Sequence, residues 1–292
     1  MLYQIQNDKL TVTIQSFGAE LTSVKDNTGV EYMWQGDPAI WTGCSPNLFP
    51  TVGRLWKKAH FAKGKEYPME IHGFAKRNEL RVSELEAEKI TFTLTDTPEI
   101  YAQYPYHFRY SVCYQLEGNR LLVTYHVENL DEETMHFGLG GHPGFRVPVF
   151  EGERFEDYKV TFSEKSEPFR VGFSPEYLCS CEDPAFPLEN GDTVSLRHDL
   201  FDNDAIFLGN IAKSAALSGP RGTIVRVNYP DMNYVGLWHK PMTKAPYICI
   251  EPWLSLPGRQ DVLEDFSKRE DMIHLPSKES YNNHWDMEFT MA

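Results

Sequence analysis

Between residues 108 and 127 the chain alternates apolar and polar side chains twice over. Phe108, Tyr110, Val112, Tyr114 and Leu116 form one run; Leu121, Val123, Tyr125 and Val127 form the other. A period of two, carried by aromatic and β-branched residues, is the mark of a half-buried strand. Glu117-Gly118-Asn119 lies between the runs, so together they predict an antiparallel hairpin with a tight turn. Shorter stretches of the same kind predict strands at 3–5, 10–14, 21–25, 90–95, 158–162, 193–197, 205–208, 214–218, 223–229, 235–239, 247–251 and 284–289. One short helix is expected after the Thr97-Pro98-Glu99 start signal, ending before Pro105. No segment long enough for a typical helix shows the 3.6-residue period. Many short strands separated by turns predict an all-β chain, a β-sandwich or barrel. With no composition break to mark a linker, residues 1–292 are expected to form one domain.

Charge narrows the partners. The net charge of −14 argues against nucleic acid and anionic membranes, which reward clustered Lys and Arg. The five cysteines (Cys44, Cys113, Cys179, Cys181 and Cys249) are odd in number and scattered, which favours reduced thiols over a disulfide framework. The first residues carry neither a basic segment nor an apolar core, unlike a signal peptide. No apolar run approaches the roughly 18 residues that would span a bilayer. The expectation is a soluble, cytoplasmic protein, monomer or homodimer.

Five stretches combine titratable side chains with constrained backbone. In Gly138-Leu-Gly-Gly-His142-Pro143-Gly144-Phe145, four glycines permit positive φ or close approach, and Pro143 biases His142 toward an extended conformation. Such an imidazole suits either a local turn or a sugar-sized ligand. Ser45-Pro46-Asn47-Leu-Phe-Pro50-Thr-Val-Gly53-Arg54 sets an amide and a guanidinium in an irregular, aromatic-rich passage. Both match a polyhydroxylated ligand, and both are also common structural pairs. His72-Gly73-Phe74-Ala75 places a second histidine beside glycine and an aromatic ring. Asp202-Asn203-Asp204 suggests calcium or an Asx turn, but the full calcium-loop pattern is missing. Glu251 closes the apolar run Ile248-Cys249-Ile250, so it is expected to be partly buried, with a raised pKa and a need for a function or an ion pair. Metal-ligand spacings, nucleophile elbows, phosphate loops and dinucleotide fingerprints are all missing from the sequence. The reading is acid–base chemistry with no cofactor and no metal.

Taken in order, Asn47-Leu-Phe-Pro-Thr-Val-Gly-Arg54, His72-Gly-Phe-Ala75, Tyr104-Pro-Tyr-His-Phe108, His142-Pro-Gly-Phe145, Asp204-Ala-Ile-Phe207 and Ile250-Glu-Pro-Trp253 resemble the aldose 1-epimerase, or galactose mutarotase-like, family. The shorter bacterial branch of epimerase-related proteins is the better match. The resemblance implies a large antiparallel β-sandwich with a cleft across one face, and interconversion of α and β anomers of a free hexose such as galactose or glucose. It implies Glu251 as the general base on the anomeric hydroxyl and His142 as the acid that protonates the ring oxygen. It also implies His72 near that oxygen, with Arg54 and Asp204 orienting hydroxyls; Asp204 is preferred to Asp202 because Phe207 follows at the family spacing. Such a pair calls for an ionised Glu251, a protonated His142 and a bell-shaped pH–rate profile. Thr-Val-Gly before Arg54, and Pro-Trp after Glu251, depart from the longer galactose mutarotases. A hexose 6-phosphate is the second substrate candidate, with Lys57, Lys58, Lys76 and Arg77 as the candidate basic groups for its phosphate. A sugar-binding protein without turnover, and a polysaccharide-acting enzyme using Trp34, Trp41 and Trp56, are the remaining readings.

Overall fold

A computed structural model describes residues 1–291 of the chain. Phe108–Glu117 and Arg120–Asn129 pair along their whole length, from Glu117 opposite Arg120 to Phe108 opposite Asn129. Gly118, at φ +64°, gives the turn the positive φ that a two-residue hairpin loop favours. This hairpin sits inside a nine-stranded antiparallel sheet, with Lys89–Thr95 and Arg81–Leu85 beyond its first strand. Beyond its second strand lie Ser280–Phe289, Gly222–Asn228, Ser214–Gly219, Lys159–Phe162 and Thr193–Ser195.

A second, seven-stranded sheet faces it. Its order is Phe169–Arg170, Ile206–Gly209, Tyr234–Trp238, Tyr247–Trp253, Gly140–Gly141 and Asn47–Leu48, with Gly144–Arg146 also pairing to Tyr247–Trp253. The inner faces meet through aromatic side chains. The ring of Phe49, beside the Asn47–Leu48 strand, stacks on Tyr110 of the hairpin at 4.4 Å and 10°. Burying such rings supplies most of the driving force for closing one sheet on the other. The chain is thus all-β, a large antiparallel sandwich. Its α-helix, Pro98–Tyr101, is capped by the Thr97 hydroxyl, which accepts from the Ile100 N–H at 3.3 Å. No helix among the described residues is long and apolar enough to cross a membrane.

Two strands run further than their sequence pattern shows. Tyr247–Trp253 continues past Glu251, with Pro252 opposite Val235 and Trp253 opposite Tyr234. Ser280–Phe289 starts four residues before the alternation at 284. Its opening Ser-Tyr-Asn-Asn is polar, yet Ser280 and Tyr281 pair with Glu128 and Val127 at the base of the hairpin. At Ser280 ladder pairing, not side-chain burial, holds the end, whereas Pro252 and Trp253 are buried but follow a carboxylate that interrupts the apolar run.

Candidate active site

Tyr247–Trp253 is buried at every position and is the spine of the site. On one side, Gly140 pairs with Trp253 and Gly144 pairs with Cys249. Carried across the interruption at Pro143, that common register sets His142 opposite Glu251. Their side chains meet, His142 Nε2 lying 3.3 Å from Glu251 Oε2. On the other side Glu251 faces Gly236.

The glycines around His142 serve approach, not positive φ; Gly138, Gly140, Gly141 and Gly144 are absent from the positive-φ residues. A Cβ on Gly140 would lie 2.8 Å from the Trp253 indole, and one on Gly141 would lie 2.6 Å from that of Trp285. The backbone beside His142 is therefore pressed against indole rings where no side chain fits.

His72 arrives from a left-handed turn, with φ +65° at His72 and +70° at Gly73. Its Nδ1 accepts from the Gly53 N–H at 3.1 Å, so in the neutral ring Nε2 carries the proton. The ring stands edge-on to His142 at 5.5 Å. Trp41 lies over His142 at 5.1 Å, and Trp238 meets it edge-on at 5.5 Å. The Trp238 Nε1–H donates to Asp204 Oδ1 at 2.8 Å, fixing that carboxylate at the rim. Asp202 is exposed and does not line the cavity. Arg54 sits over the Tyr177 ring at 5.2 Å. These groups enclose a cavity of about 390 Å³, with Glu251, His142 and His72 on its floor and Arg54, Lys76 and Asp204 on its walls. The volume lies in the range of small-molecule sites.

Burial sets the charges. Glu251 is 1% exposed, and loss of solvent holds its carboxyl well above the usual range, reinforced by Asp204 and opposed by Lys76. The same burial lowers His142 to about 3, with Lys76 adding to the shift, and holds His72 well below its usual value. Burial therefore disfavours the charged form of both groups, the carboxylate and the imidazolium. The carboxylate–imidazolium pair expected from sequence is opposed by a dry site that penalises both charges.

Glu251, His142, His72, Arg54 and Asp204, the candidates singled out from sequence, all line this one cavity. Asn47, read as a ligand contact, does not. It is 1% exposed, and its Nδ2 donates to Ala19 O at 2.9 Å and Tyr114 Oη at 2.9 Å while its Oδ1 accepts from Tyr125 Oη at 3.0 Å. Its amide ties one sheet to the other and has no capacity left for a ligand. Trp34 and Trp56 also lie off the cavity, whereas Trp41, Trp238, Trp253, Phe207 and Tyr177 line it. Trp238 had a signal in sequence: it follows Gly236 by two residues on a strand, so it shares the face that looks at Glu251. Tyr177 and Phe173 had none, coming from an irregular loop.

Known proteins share this fold and identify the family. The aldose 1-epimerase family profile matches residues 1–284. The chain is 34% identical to the plasmid-encoded protein LacX of Lactococcus lactis subsp. lactis, over 97% of this chain and 98% of that protein. A galactose mutarotase related enzyme from Lactobacillus acidophilus superposes with a TM-score of 0.94 at 33% identity, covering 99% of this chain and 97% of that one. A galactose mutarotase-like protein from Lactobacillus casei superposes with a TM-score of 0.93 at 29% identity, covering 99% and 100%. With its profile matched nearly end to end on this sandwich, the chain belongs to the aldose 1-epimerase family.

Proposed function

We propose that the protein is a mutarotase that interconverts the α and β anomers of a free hexose such as galactose or glucose. The observation that carries this reading is the buried Glu251–His142 pair, 3.3 Å apart on the floor of a sugar-sized cavity. Ring opening needs a base at the anomeric hydroxyl and an acid at the ring oxygen. One proton shared between carboxyl and imidazole supplies both. Sugar hydroxyls and the nearby Lys76 charge stabilise the Glu251 carboxylate, and the proton passes to His142 over that short distance. Glu251 then removes the anomeric proton while His142 protonates the ring oxygen, and the C1–O5 bond opens. His72 offers an N–H near that oxygen. Rotation about C1–C2 and closure with the roles reversed give the other anomer, each positioned group contributing about 10²–10⁴-fold. The decisive experiment is polarimetry of freshly dissolved α-D-galactose and α-D-glucose with and without protein. Measurable sugar binding with no acceleration would favour a non-catalytic binding protein instead.

Asp204 gives a separate check. Trp238→Phe keeps an aromatic ring, smaller than the indole, and removes the 2.8 Å hydrogen bond to Asp204. Bonds to charged groups contribute about 1.5–3 kcal/mol. The variant is expected to raise KM by roughly tenfold, more than it lowers kcat. An unchanged KM in polarimetric kinetics would remove Asp204 from sugar recognition.

A hexose 6-phosphate is the second substrate reading, and one observation favours it. Of the four basic candidates, only Lys76 lines the cavity. Lys58 pairs with Glu70, Lys57 covers the Trp56 ring, and Arg77 donates to the carbonyls of Ile71 and Gly73. Burial and the Arg77 charge bring Lys76 down to about 8. It is therefore charged below that pH, and loses its charge as pH rises through it. Lys76→Met is expected to raise KM for glucose 6-phosphate at least about tenfold and to leave KM for glucose nearly unchanged, while kcat for both sugars falls alike because the Glu251 carboxylate loses a supporting charge. The wild-type preference for the phosphorylated sugar should fade between pH 7 and 9 as Lys76 passes its value of about 8. Equal effects on KM for both sugars would exclude a phosphate contact.

A further inference from the structure

Cys249 has no part in the chemistry above, yet it lies against the acid–base pair. It precedes Glu251 by two residues on one strand, so both side chains leave the same face. Gly144, two residues past His142, pairs with Cys249 across the ladder. One ligand atom from each of His142, Cys249 and Glu251 lies within 4.8 Å of the other two. All three side chains are buried, at 7%, 0% and 1% exposure. Glu251 Oε2 and His142 Nδ1 have no hydrogen-bond partner although both are sealed from solvent. Buried polar atoms are seldom left this way.

We propose that this triad is a binding site for a thiophilic divalent cation of the zinc type, and that the ion inhibits the protein by occupying its acid–base pair. A thiolate, an imidazole and a carboxylate are all zinc donors, and since His142 and Glu251 line the cavity, a fourth ligand can come from there. Charge balance favours the ion. One thiolate and one carboxylate neutralise a dication, so the filled site is neutral in surroundings that penalise separate charges. Zinc bonds of about 2.0–2.3 Å require the three atoms to draw inward by roughly an ångström, within reach of side-chain rotation. Binding releases the thiol proton and the proton that the Glu251–His142 pair shares. The ion and the sugar then exclude each other. Metal binding stands on geometry alone; only the inhibition rests on the mutarotase reading.

The test titrates Co²⁺ into the reduced, intact protein and follows the thiolate-to-cobalt charge-transfer band, with Zn²⁺ displacing it. One equivalent is expected in the wild type. Cys181 is exposed and neighbours Cys179, so these thiols are the competing site. The band should survive in a Cys179→Ser/Cys181→Ser variant. In Cys249→Ser it should vanish, and Zn²⁺ affinity should fall more than tenfold, since loss of even an outer-shell partner costs about 10–100-fold. Cys249→Val repeats the test should the serine variant fold poorly. Both Cys249 variants are expected to keep polarimetric activity in metal-free buffer and to lose zinc sensitivity. Absence of the band in the wild type, its persistence without Cys249, or its loss with Cys179 and Cys181 would each overturn the site. Cobalt binding through Cys249 in a protein without mutarotase activity would keep the site and reject the catalytic reading.

Discussion

Glu251→Gln is expected to slow anomer interconversion by about 10²–10⁴-fold while leaving sugar affinity within a few-fold of wild type. The amide fills the same space and can still hydrogen-bond a hydroxyl, but it cannot take up a proton. Binding and chemistry therefore separate, and two measurements check them: polarimetric rate and calorimetric sugar affinity. The substitution also removes a carboxyl that sits 1% exposed, so the folded protein should be no less stable. An unchanged rate would remove Glu251 from the mechanism. A lost rate with lost binding would make it a binding group, leaving the base elsewhere.

The largest effect on stability is expected away from the titratable groups, at Gly73. Its φ is +70°, and a Cβ there would run into the Phe49 carbonyl oxygen and approach Pro50 Cδ to 2.8 Å. That carbonyl already accepts from the N–H groups of Phe74 and Ala75, at 3.0 and 3.2 Å, so it is not free to swing away. Backbone strain of about 1–3 kcal/mol adds to overpacking of about 1–3 kcal/mol. Gly73→Ala should thus lower stability by roughly 3 kcal/mol or more, read as a clear drop in Tm. It should also lower activity, because His72 is the preceding residue. Gly64→Ala is the control: φ is +77° but nothing lies within 4 Å of the added methyl, leaving strain alone at about 1 kcal/mol. Equal losses at the two positions would show that strain, not the Phe49 carbonyl, governs Gly73.

What could be read in the sequence, and what could not, divides along physical lines. The hairpin at 108–127 was legible because one of its faces is buried, which writes a period of two into the residues. Glu251 and His142 were legible because each is a titratable group held in apolar or glycine-rich surroundings. Their 3.3 Å approach was not; it follows from a strand register set by Gly140 and Gly144 on the far side of Pro143. Asn47 was misread because a polar residue in an irregular passage looks the same whether it meets a ligand or two tyrosines from the opposite sheet. Lys76 could not be separated from its basic neighbours until the fold turned Lys57, Lys58 and Arg77 away. The raised Glu251 pKa was expected from sequence, but the lowered His142 value was not. Proximity argues for opposite charges, and full burial of both groups opposes them.

The glycines packed beneath indole rings bear on how this protein can change over generations. With Trp253 and Trp285 less than 3 Å from any methyl that Gly140 or Gly141 could acquire, the backbone that carries His142 has almost no mutational freedom. New sugar preferences must therefore arise at the mouth, where Arg54 and Tyr177 are exposed and Phe173 is half-buried. Chemistry and specificity are thereby inherited on separate parts of the chain. Directed evolution toward another sugar should accumulate its changes in the 171–185 loop and around Arg54, leaving 138–144 untouched.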